Sequence, residues 1–512
     1  MFPTAVKVDA LQSAVGSDLL MFLPERVLCV GIVSLLLARL LPLLDRAHLG
    51  GLALAAVAVS LYTAGAQVNG GEWSGPYFGG MLSSDAFAGL VRCFILGAAL
   101  LTILLSQLTG IPDAADSADF HTLLLGGTLG MLLMASANHL LMIFIAVEMA
   151  SLPGYALAGF LKGKKAGSEA ALKYVVYGAG ASGIMLYGIS LIAGIFGTGY
   201  LPDIAAGVAQ RGFDLPVLAG FSLVLVGLGF KLAAVPFHFW CPDVFEGAAA
   251  EVAGFLSVAS KAAAVALTLR VLLTLHKASG GWDVPETLGL MVGVIGAITV
   301  TFGNLAAFSQ TNLKRLLAYS TISHAGYMLL AVATVTTAGT SSVLFYLAAY
   351  VVMNLGAFAV VALVRNATGG ESLSAFHGLV QRSPLLAVTF TIFLLSLLGL
   401  PPLAGFAGKF QVFEAVYEGA RAATAAGHAP LGKLFYVLLG VGAVNTAVSA
   451  YYYLKIVRAM LLDEPTDATP IPTSLATTAY LSVLAATLFA LGVMWNPLTR
   501  LAEHAAASFA IR

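Results

Sequence analysis

Apolar stretches of about 19 residues or more recur along the whole chain, and in an α-helix such a stretch crosses about 30 Å of hydrocarbon at about 1.5 Å per residue. They fall near residues 18–44, 47–65, 84–109, 120–138, 139–161, 168–196, 216–236, 248–275, 286–305, 312–336, 341–365, 384–412, 432–460 and 475–495, a count of fourteen. Only Asn138 and His139 separate the fourth stretch from the fifth, so thirteen crossings remain open at that boundary. The bilayer core offers no water to satisfy backbone amides, so runs of this kind fold as helices. Composition agrees: 59% of residues are hydrophobic and 10% charged, whereas about a quarter are charged in soluble domains. The expectation is an all-α polytopic membrane protein with about 14 transmembrane helices.

The same numbers exclude several functions. Lys+Arg 25 balance Asp+Glu 25, so no basic surface for nucleic acid is expected. Cys29, Cys93 and Cys241 stand alone, without a CxxC or Cys/His cluster for zinc, haem or iron–sulfur ligation. No GxGxxG follows a strand pattern. The longest polar connections, 66–83 (with Gly70-Gly71 and Trp73) and 413–431, leave no extramembrane domain for a nucleotide. No cofactor is therefore expected in this chain, and any redox group belongs to a partner. Lys7, Asp9 and Asp18 precede the first run without a cleavage region, so the first helix is expected to be retained. Orientation follows Lys and Arg in short loops. One side receives Arg46, Lys162, Lys164, Lys165, Lys314, Arg315, Arg365, Arg382 and Arg458; the other receives Lys7, Arg211, Lys277, Arg421, Lys433, Arg500 and Arg512. The Lys162–Lys165 cluster and the Lys314-Arg315 pair place their loops in the cytoplasm and both termini outside. The loop with Asp113, Asp116 and Asp119 lies on the cytoplasmic side and carries no base.

Five ionisable residues fall inside the apolar runs: Glu148 in the fifth, Lys173 near the start of the sixth, Lys231 in the seventh, Lys261 in the eighth and Lys409 in the twelfth. Each charge at mid-membrane costs at least about 2.5–3.5 kcal/mol on insertion scales. One Glu–Lys pair holding helices together, with the other lysines snorkelling, is the static alternative. Four lysines cannot all pair with one carboxylate, however, and Lys231, Lys261 and Lys409 are far from the ends of their runs. Desolvation disfavours an ammonium charge, so such a lysine can release and regain a proton, which a guanidinium cannot.

Proline adjoins the lysine in two of these runs. Lys231 lies five residues before Pro236, and Pro401-Pro402, with Gly399, Gly405 and Gly408, precede Lys409. Both helices are expected to break near mid-membrane, and irregular backbone survives there only against protein or water. Breaks five spans apart fit two inverted five-helix repeats, spans four to eight against nine to thirteen. Proline kinks are common in membrane helices, so the lysine at each break carries the argument. Sequence similarity between the halves is thin, Leu172-Lys173-Tyr174 against Leu344-Phe345-Tyr346 being the best alignment.

PFHFWCPDVFEGA (236–248), FLSVASKAAA (255–264), SQTNLKRLLAYSTISHAGYMLL (309–330), GLPPLAGFAGKF (399–410) and SAYYYLKIVRAM (449–460) carry a family resemblance over spans four to thirteen. The chain resembles the subunit N family of bacterial respiratory NADH:quinone oxidoreductase (complex I), whose wider family includes sister pump subunits and the large subunits of multisubunit sodium/proton antiporters. PFHFWCPDVFEGA and the lysine at Lys409 favour subunit N over a cation/proton antiporter subunit, which is the alternative. The resemblance implies N-terminal helices 1–3 over 1–119, a first antiporter-like repeat over 120–275, a second over 286–460 and a last helix within 461–512, with discontinuous helices 7 and 12. It further implies that Glu148 pairs with Lys231, that Lys261 connects, and that Lys409 stands at the exit-side half channel. Lys173 matches the sixth-helix lysine, and Lys314 and His324 fall in the tenth-helix motif. Making or breaking the Glu148–Lys231 pair would displace a proton toward Lys261 and Lys409. Energy would come from quinone reduction in neighbouring subunits of a translocase, where FMN, iron–sulfur clusters and quinone are expected. Partners would be neighbouring antiporter-like and small membrane subunits and the lipid of a bacterial inner membrane.

GAAAEVAGF replaces a proline-rich opening of the eighth helix common in the family, which places Glu251 there and leaves the break in that helix in question. His139 stands where many relatives carry a small polar or acidic residue. His238 beside Pro236 is read as closing a helix end, with proton relay the minor alternative, and His324 is a further relay candidate. Lys455 either extends the path or snorkels. Tyr451, Tyr452 and Tyr453 are read as packing residues, Glu25 and Arg26 as interfacial, and Arg92 as a simple pair with Asp85. The Gly 55 permit close helix packing.

Overall fold

The computed structural model describes residues 8–41, 48–69, 74–161, 163–465 and 467–510. Lys7, Arg46, Gly70, Gly71, Trp73, Lys162 and Arg512, used in the sequence reading, lie outside them. The helices run in the order α1 (Val8–Met21), α2 (Leu23–Leu40), α3 (Gly50–Asn69), α4 (Ala86–Thr109), α5 (Ser117–Ser136), α6 (Leu140–Ala158) and α7 (Lys165–Phe196). Then come α8 (Leu201–Arg211), α9 (Leu215–Leu232), α10 (Trp240–Gly247), α11 (Ala250–Phe255), α12 (Lys261–Ser279), α13 (Leu290–Ala307), α14 (Leu313–Val332) and α15 (Thr337–Thr368). The chain closes with α16 (Leu379–Arg382), α17 (Pro384–Leu398), α18 (Ala404–Ala425), α19 (Ala429–Leu461), α20 (Leu475–Val493) and α21 (Asn496–Ala510).

Every one of the apolar stretches contains a helix. By length and composition, eleven helices among the described residues can cross a membrane, or twelve if the pair of α1 and α2, bent by 79°, is one span. The stretches left out are α14, whose Ser320, Thr321, Ser323 and His324 lower its hydropathy, and the broken pair of α17 and α18. The expected fourteen is therefore not reached on length and composition alone.

A short hairpin, β1 (Gly75–Tyr77) with β2 (Leu82–Ser84), pairs antiparallel. Isolated bridges join Leu82 to Ala137 and His139 to Tyr200, so Asn138 and His139 do mark a break between α5 and α6. These contacts knit one face of the molecule. The opposite face, called the basic face below, carries Lys164, Lys165, Lys314 and Arg315.

α9 and α17 end where proline requires it. α9 starts at Asp214, whose carboxylate accepts from the Val217 backbone N–H at 3.1 Å and is held by that bond and by Arg211 below the ordinary carboxylate range. It ends at Leu232, with Ala233 left-handed at φ 55°, and the chain resumes as α10. α17 ends at Leu398, with Gly399 at φ 89°, and resumes as α18. The eighth stretch behaves differently. α11 runs through a π-helical turn, Leu256–Ser260, directly into α12, so this rod bulges without a gap. Having lost the prolines, it has nothing to open it.

Residues 413–425, read as part of a connection, are instead the second half of α18. Val412, Val416, Ala420 and Ala423 are buried while Glu414, Glu418 and Arg421 face outward, an amphipathic pattern that averaged hydropathy hides. Glycine sets the closest packing: a Cβ on Gly326 of α14 would meet Val300 N of α13 at 2.5 Å, and one on Gly303 of α13 would meet Ser323 N at 2.7 Å.

Candidate functional site

Lys231, Lys261 and Lys409 are 0%, 1% and 4% exposed. Lys261 donates to the carbonyl of Leu232 at 2.7 Å, and Lys409 to the carbonyl of Leu398 at 2.9 Å. These are the last residues of α9 and α17, the two helices that break. A helix C-terminus leaves carbonyls without intrahelical partners and carries partial negative charge, so each lysine meets the acceptor that the break exposes. The contact suits either protonation state, since an ammonium offers three N–H donors and a neutral amine still offers two. Gly399 is needed for this approach: its Cβ would stand 2.9 Å from Lys409 Cδ.

Lys231, in the last turn of α9, donates to Ser151 Oγ at 2.9 Å. Ser151 in turn donates to Val147 O at 2.6 Å. Glu148 lies one turn before Ser151 on α6, is half-buried and accepts from the Ser182 hydroxyl. The expected direct pair of Glu148 with Lys231 is thus not made among the described residues; Ser151 stands at the ammonium instead, three residues along the helix from the carboxylate.

Lys173 departs from the sequence reading. It lies in the third turn of α7 at the basic face, where it pairs with Glu169 at 2.8 Å and Asp243 at 2.6 Å and remains partly exposed. Arg315 joins it on Asp243 at 2.6 Å and reaches Glu246 at 2.8 Å. Lys173 is therefore a paired residue at a helix end, not one of the buried set.

His324 is buried between two tyrosines, with Nδ1 2.6 Å from Tyr346 Oη and Nε2 3.1 Å from Tyr453 Oη. Tyr453 continues to Ser320 at 2.6 Å, and Tyr452 donates to Asn304 at 2.9 Å. Lys409 Nζ lies 4.6 Å from the centre of the Tyr327 ring, and Tyr327 Oη accepts from Thr446 at 3.1 Å. Tyr452 and Tyr453 of α19 are thus hydrogen-bonded parts of the interior, whereas Tyr451 is exposed, against Phe308. His238 packs against Phe239 and Phe302, with ring centres 4.3 and 4.4 Å away, and its buried Nδ1 has no hydrogen-bond partner among the described residues. Lys455 reaches the carbonyls of Phe308 and Gln310 at 3.5 Å near the end of α19, a snorkelling geometry.

Several buried ion pairs escaped the sequence reading. Glu25 pairs with Arg92 at 2.7 Å, both fully buried, so Glu25 is not interfacial and Arg92 does not pair with Asp85. Asp85 takes Arg270 at 3.0 Å. Glu251 pairs with Arg365 at 3.1 Å and Lys314 with Glu371 at 2.9 Å. An arginine inside an apolar run, as Arg92 and Arg270 are, was the available signal for two of them.

Broken helices with lysines on their free carbonyls define a polytopic membrane protein of the antiporter-like class. Residues 137–426 match the family model described as NADH:quinone oxidoreductase/Mrp antiporter, TM. NADH-quinone oxidoreductase subunit N of Anaeromyxobacter sp. (strain Fw109-5) is 40% identical over 505 residues, covering 94% of this chain and 96% of that protein. A chain of respiratory complex I from Thermus thermophilus with bound aureothin aligns at TM-score 0.76 and 34% identity, covering 94% and 99%. A chain of the Mrp complex from Dietzia sp. DQ12-45-1b shares the fold at TM-score 0.80 and 23% identity, covering 96% and 98%. The chain belongs to the NADH-quinone oxidoreductase subunit N family.

Proposed function

We propose that this protein is the proton-translocating, non-redox membrane subunit of a bacterial NADH:quinone oxidoreductase, a translocase driven by quinone reduction in other subunits. The observation that carries this reading is the placement of Lys261 and Lys409 on the free carbonyls of the two broken helices. Glu148, one turn from Ser151 on α6, biases the charge on Lys231 by its own charge and not by a direct bond; a proton displaced from Lys231 passes to Lys261 and on toward Lys409, with His324 bridging through Tyr346 and Tyr453. No electron moves through this chain: N–H and O–H bonds break and form in turn, and FMN, iron–sulfur clusters and quinone belong to partner subunits. Lys173, His238 and Lys455 serve the ends of helices.

Fourteen crossings follow if α14 and the broken α17–α18 pair each span the bilayer. Residues 120–275 and 286–460 then form the two inverted repeats, between an N-terminal part, 1–119, and a C-terminal part, 461–512. Two features support this: α7 and α15 are each 32 residues long, and each is followed by a broken helix. The basic face is cytoplasmic, both termini lie outside the inner membrane, and the flanks pack against other membrane subunits. The likeness to the Mrp chain extends to the fold alone, so an antiporter role without redox drive is not favoured.

Lys261→Arg tests the role of proton release. It keeps the positive charge but not the ability to lose a proton. NADH-driven acidification by the assembled complex is expected to fall at least tenfold, whereas a static pairing role would let arginine serve and leave pumping intact.

A further inference from the structure

The bond of Lys409 to the Leu398 carbonyl crosses a gap in the helix. Leu398 closes α17, Lys409 lies in the second turn of α18, and residues 399–403 between them are not helical. The bond therefore exists only while α18 keeps its place against α17. Within the gap the backbone bonds are local, Leu400 N–H to Leu395 O and Leu403 N–H to Leu400 O at 3.1 Å each, and the Gly405 N–H donates back across it to Ser396 Oγ at 3.2 Å. Two sides of α18 are closed by its neighbours in the bundle: a Cβ on Gly408 would meet Tyr346 Cδ2 of α15 at 2.9 Å, and one on Gly442 of α19 would meet Phe413 Cε1 at 2.7 Å.

The first break is held by residues beside it in sequence. Trp240, which opens α10, donates its indole N–H to Phe230 O in the last turn of α9 at 2.9 Å and stacks on Tyr174 with ring centres 4.3 Å apart. Inside that break the Val235 N–H donates to Thr299 Oγ1 at 3.0 Å. Residues 384–425, around the second break, contain no tryptophan. Trp495 reaches them from the far end of the chain instead. Its ring stacks on Phe410, next to Lys409, with centres 6.2 Å apart and planes 5° from parallel, and Phe410 continues the stack to Phe406 at 6.1 Å. Gln411 donates to Thr499 Oγ1 at 3.1 Å, and Thr499 donates to the Trp495 carbonyl at 3.1 Å. At the end of α20, a Cβ on Gly492 would collide with the Pro402 carbonyl oxygen and stand 2.5 Å from Leu403 C. The segment between α20 and α21 thus touches both the gap and the two residues that follow Lys409.

We infer that the junction of α20 and α21 is a strap that positions Lys409, with Gly492, Trp495 and Thr499 as positioning residues that hold α18 so that the lysine stays on the Leu398 carbonyl. The inference rests on the proton-translocation reading and adds to it three residues outside 137–426, the segment matched by the family model. Transfer between fixed groups is steep in distance, and a misplacement of about 1 Å can cost about 10²-fold. Gly492 is required because backbone lies against backbone there, which leaves no room for a side chain. Trp495 does for the second break what Trp240 does for the first, from a part of the chain that the break itself does not contain.

Trp495→Ala in the full complex tests the strap. NADH-driven acidification of inverted vesicles is divided by the amount of assembled complex on a native gel, so that loss of assembly and loss of transport are read separately. Acidification per complex is expected to fall about tenfold. Trp495→Phe, which keeps a ring on Phe410, is expected to restore most of it, and Met494→Ala, beside it but 67% exposed, is expected to match wild type. If Trp495→Ala fails to assemble, Thr499→Val takes its place, removing only the bond from Gln411, and a several-fold loss per complex is expected of it. Wild-type acidification per complex in the assembled variant, whatever its yield, overturns the strap, and so does an equal loss in Met494→Ala or Trp495→Phe. The Lys231→Met enzyme keeps the two readings apart: if it fails to pump while the Trp495→Ala enzyme pumps normally, the strap alone falls, and if it pumps normally, the parent reading falls with it.

Discussion

Glu25 and Arg92 meet inside the N-terminal helices with no access to water, and Arg92 also bonds Tyr77 and Gln67. Removing one member of a buried pair leaves the other charge unmet, which costs about 3–5 kcal/mol. Glu25→Gln is therefore expected to lower the thermal stability of the purified complex by about that amount, measured by heat-induced dissociation, and Arg92→Met in the same chain should recover most of it. A stability unchanged by Glu25→Gln alone would show that the pair is not desolvated. The same rule explains which charges were legible beforehand. Lys231, Lys261 and Lys409 stood out because each interrupts an apolar run near a proline or in mid-span. Their acceptors did not, because a carbonyl freed by a helix break has no signature of its own in sequence. Partner identity was equally hidden: Arg270 reaches Asp85 across 185 residues, while Asp85 sits only seven residues from Arg92 and invited the wrong pairing.

At the scale of elements, the chain's punctuation was mostly readable. Pro236 and Pro401-Pro402 ended α9 and α17 where steric clash and the missing N–H demand it, and Asn138-His139 separated α5 from α6. Hydropathy averaging failed where a helix is polar on one side, which is why the second half of α18 and the amphipathic α8 and α21 were missed. The π turn before Lys261 was also beyond reach, since an extra residue in a turn leaves the local composition unchanged. Helix packing can be tested directly. Gly326→Val would drive its side chain into the backbone of α13 at Val300, so the chain should no longer co-purify with its partner subunits. Gly180→Val on α7, where nothing lies within 4 Å, should leave assembly intact within this chain. Equal recovery of both variants would contradict the close approach of α13 and α14.

Across the whole molecule, charge is distributed by layer. The basic face holds paired residues, including Lys173, Asp243 and Arg315, and the opposite face holds the hairpin, α8 and α21. Between them lie lysines whose ammonium groups meet only uncharged acceptors within hydrogen-bond distance: Ser151, Leu232 and Leu398. Paired charges fix helices, whereas a lysine on a hydroxyl or carbonyl can lose its proton without stranding an opposite charge, and this difference is the basis for assigning transport to the middle layer. The most direct measurement is NADH-driven acidification of inverted membrane vesicles carrying Lys231→Met, with a native gel to follow assembly of the complex. The account predicts an assembled complex whose acidification is lost, with quinone-linked turnover slowed alongside it. An assembled complex that acidifies at the wild-type rate would contradict it, and a complex that fails to assemble would return the buried lysines to a structural role.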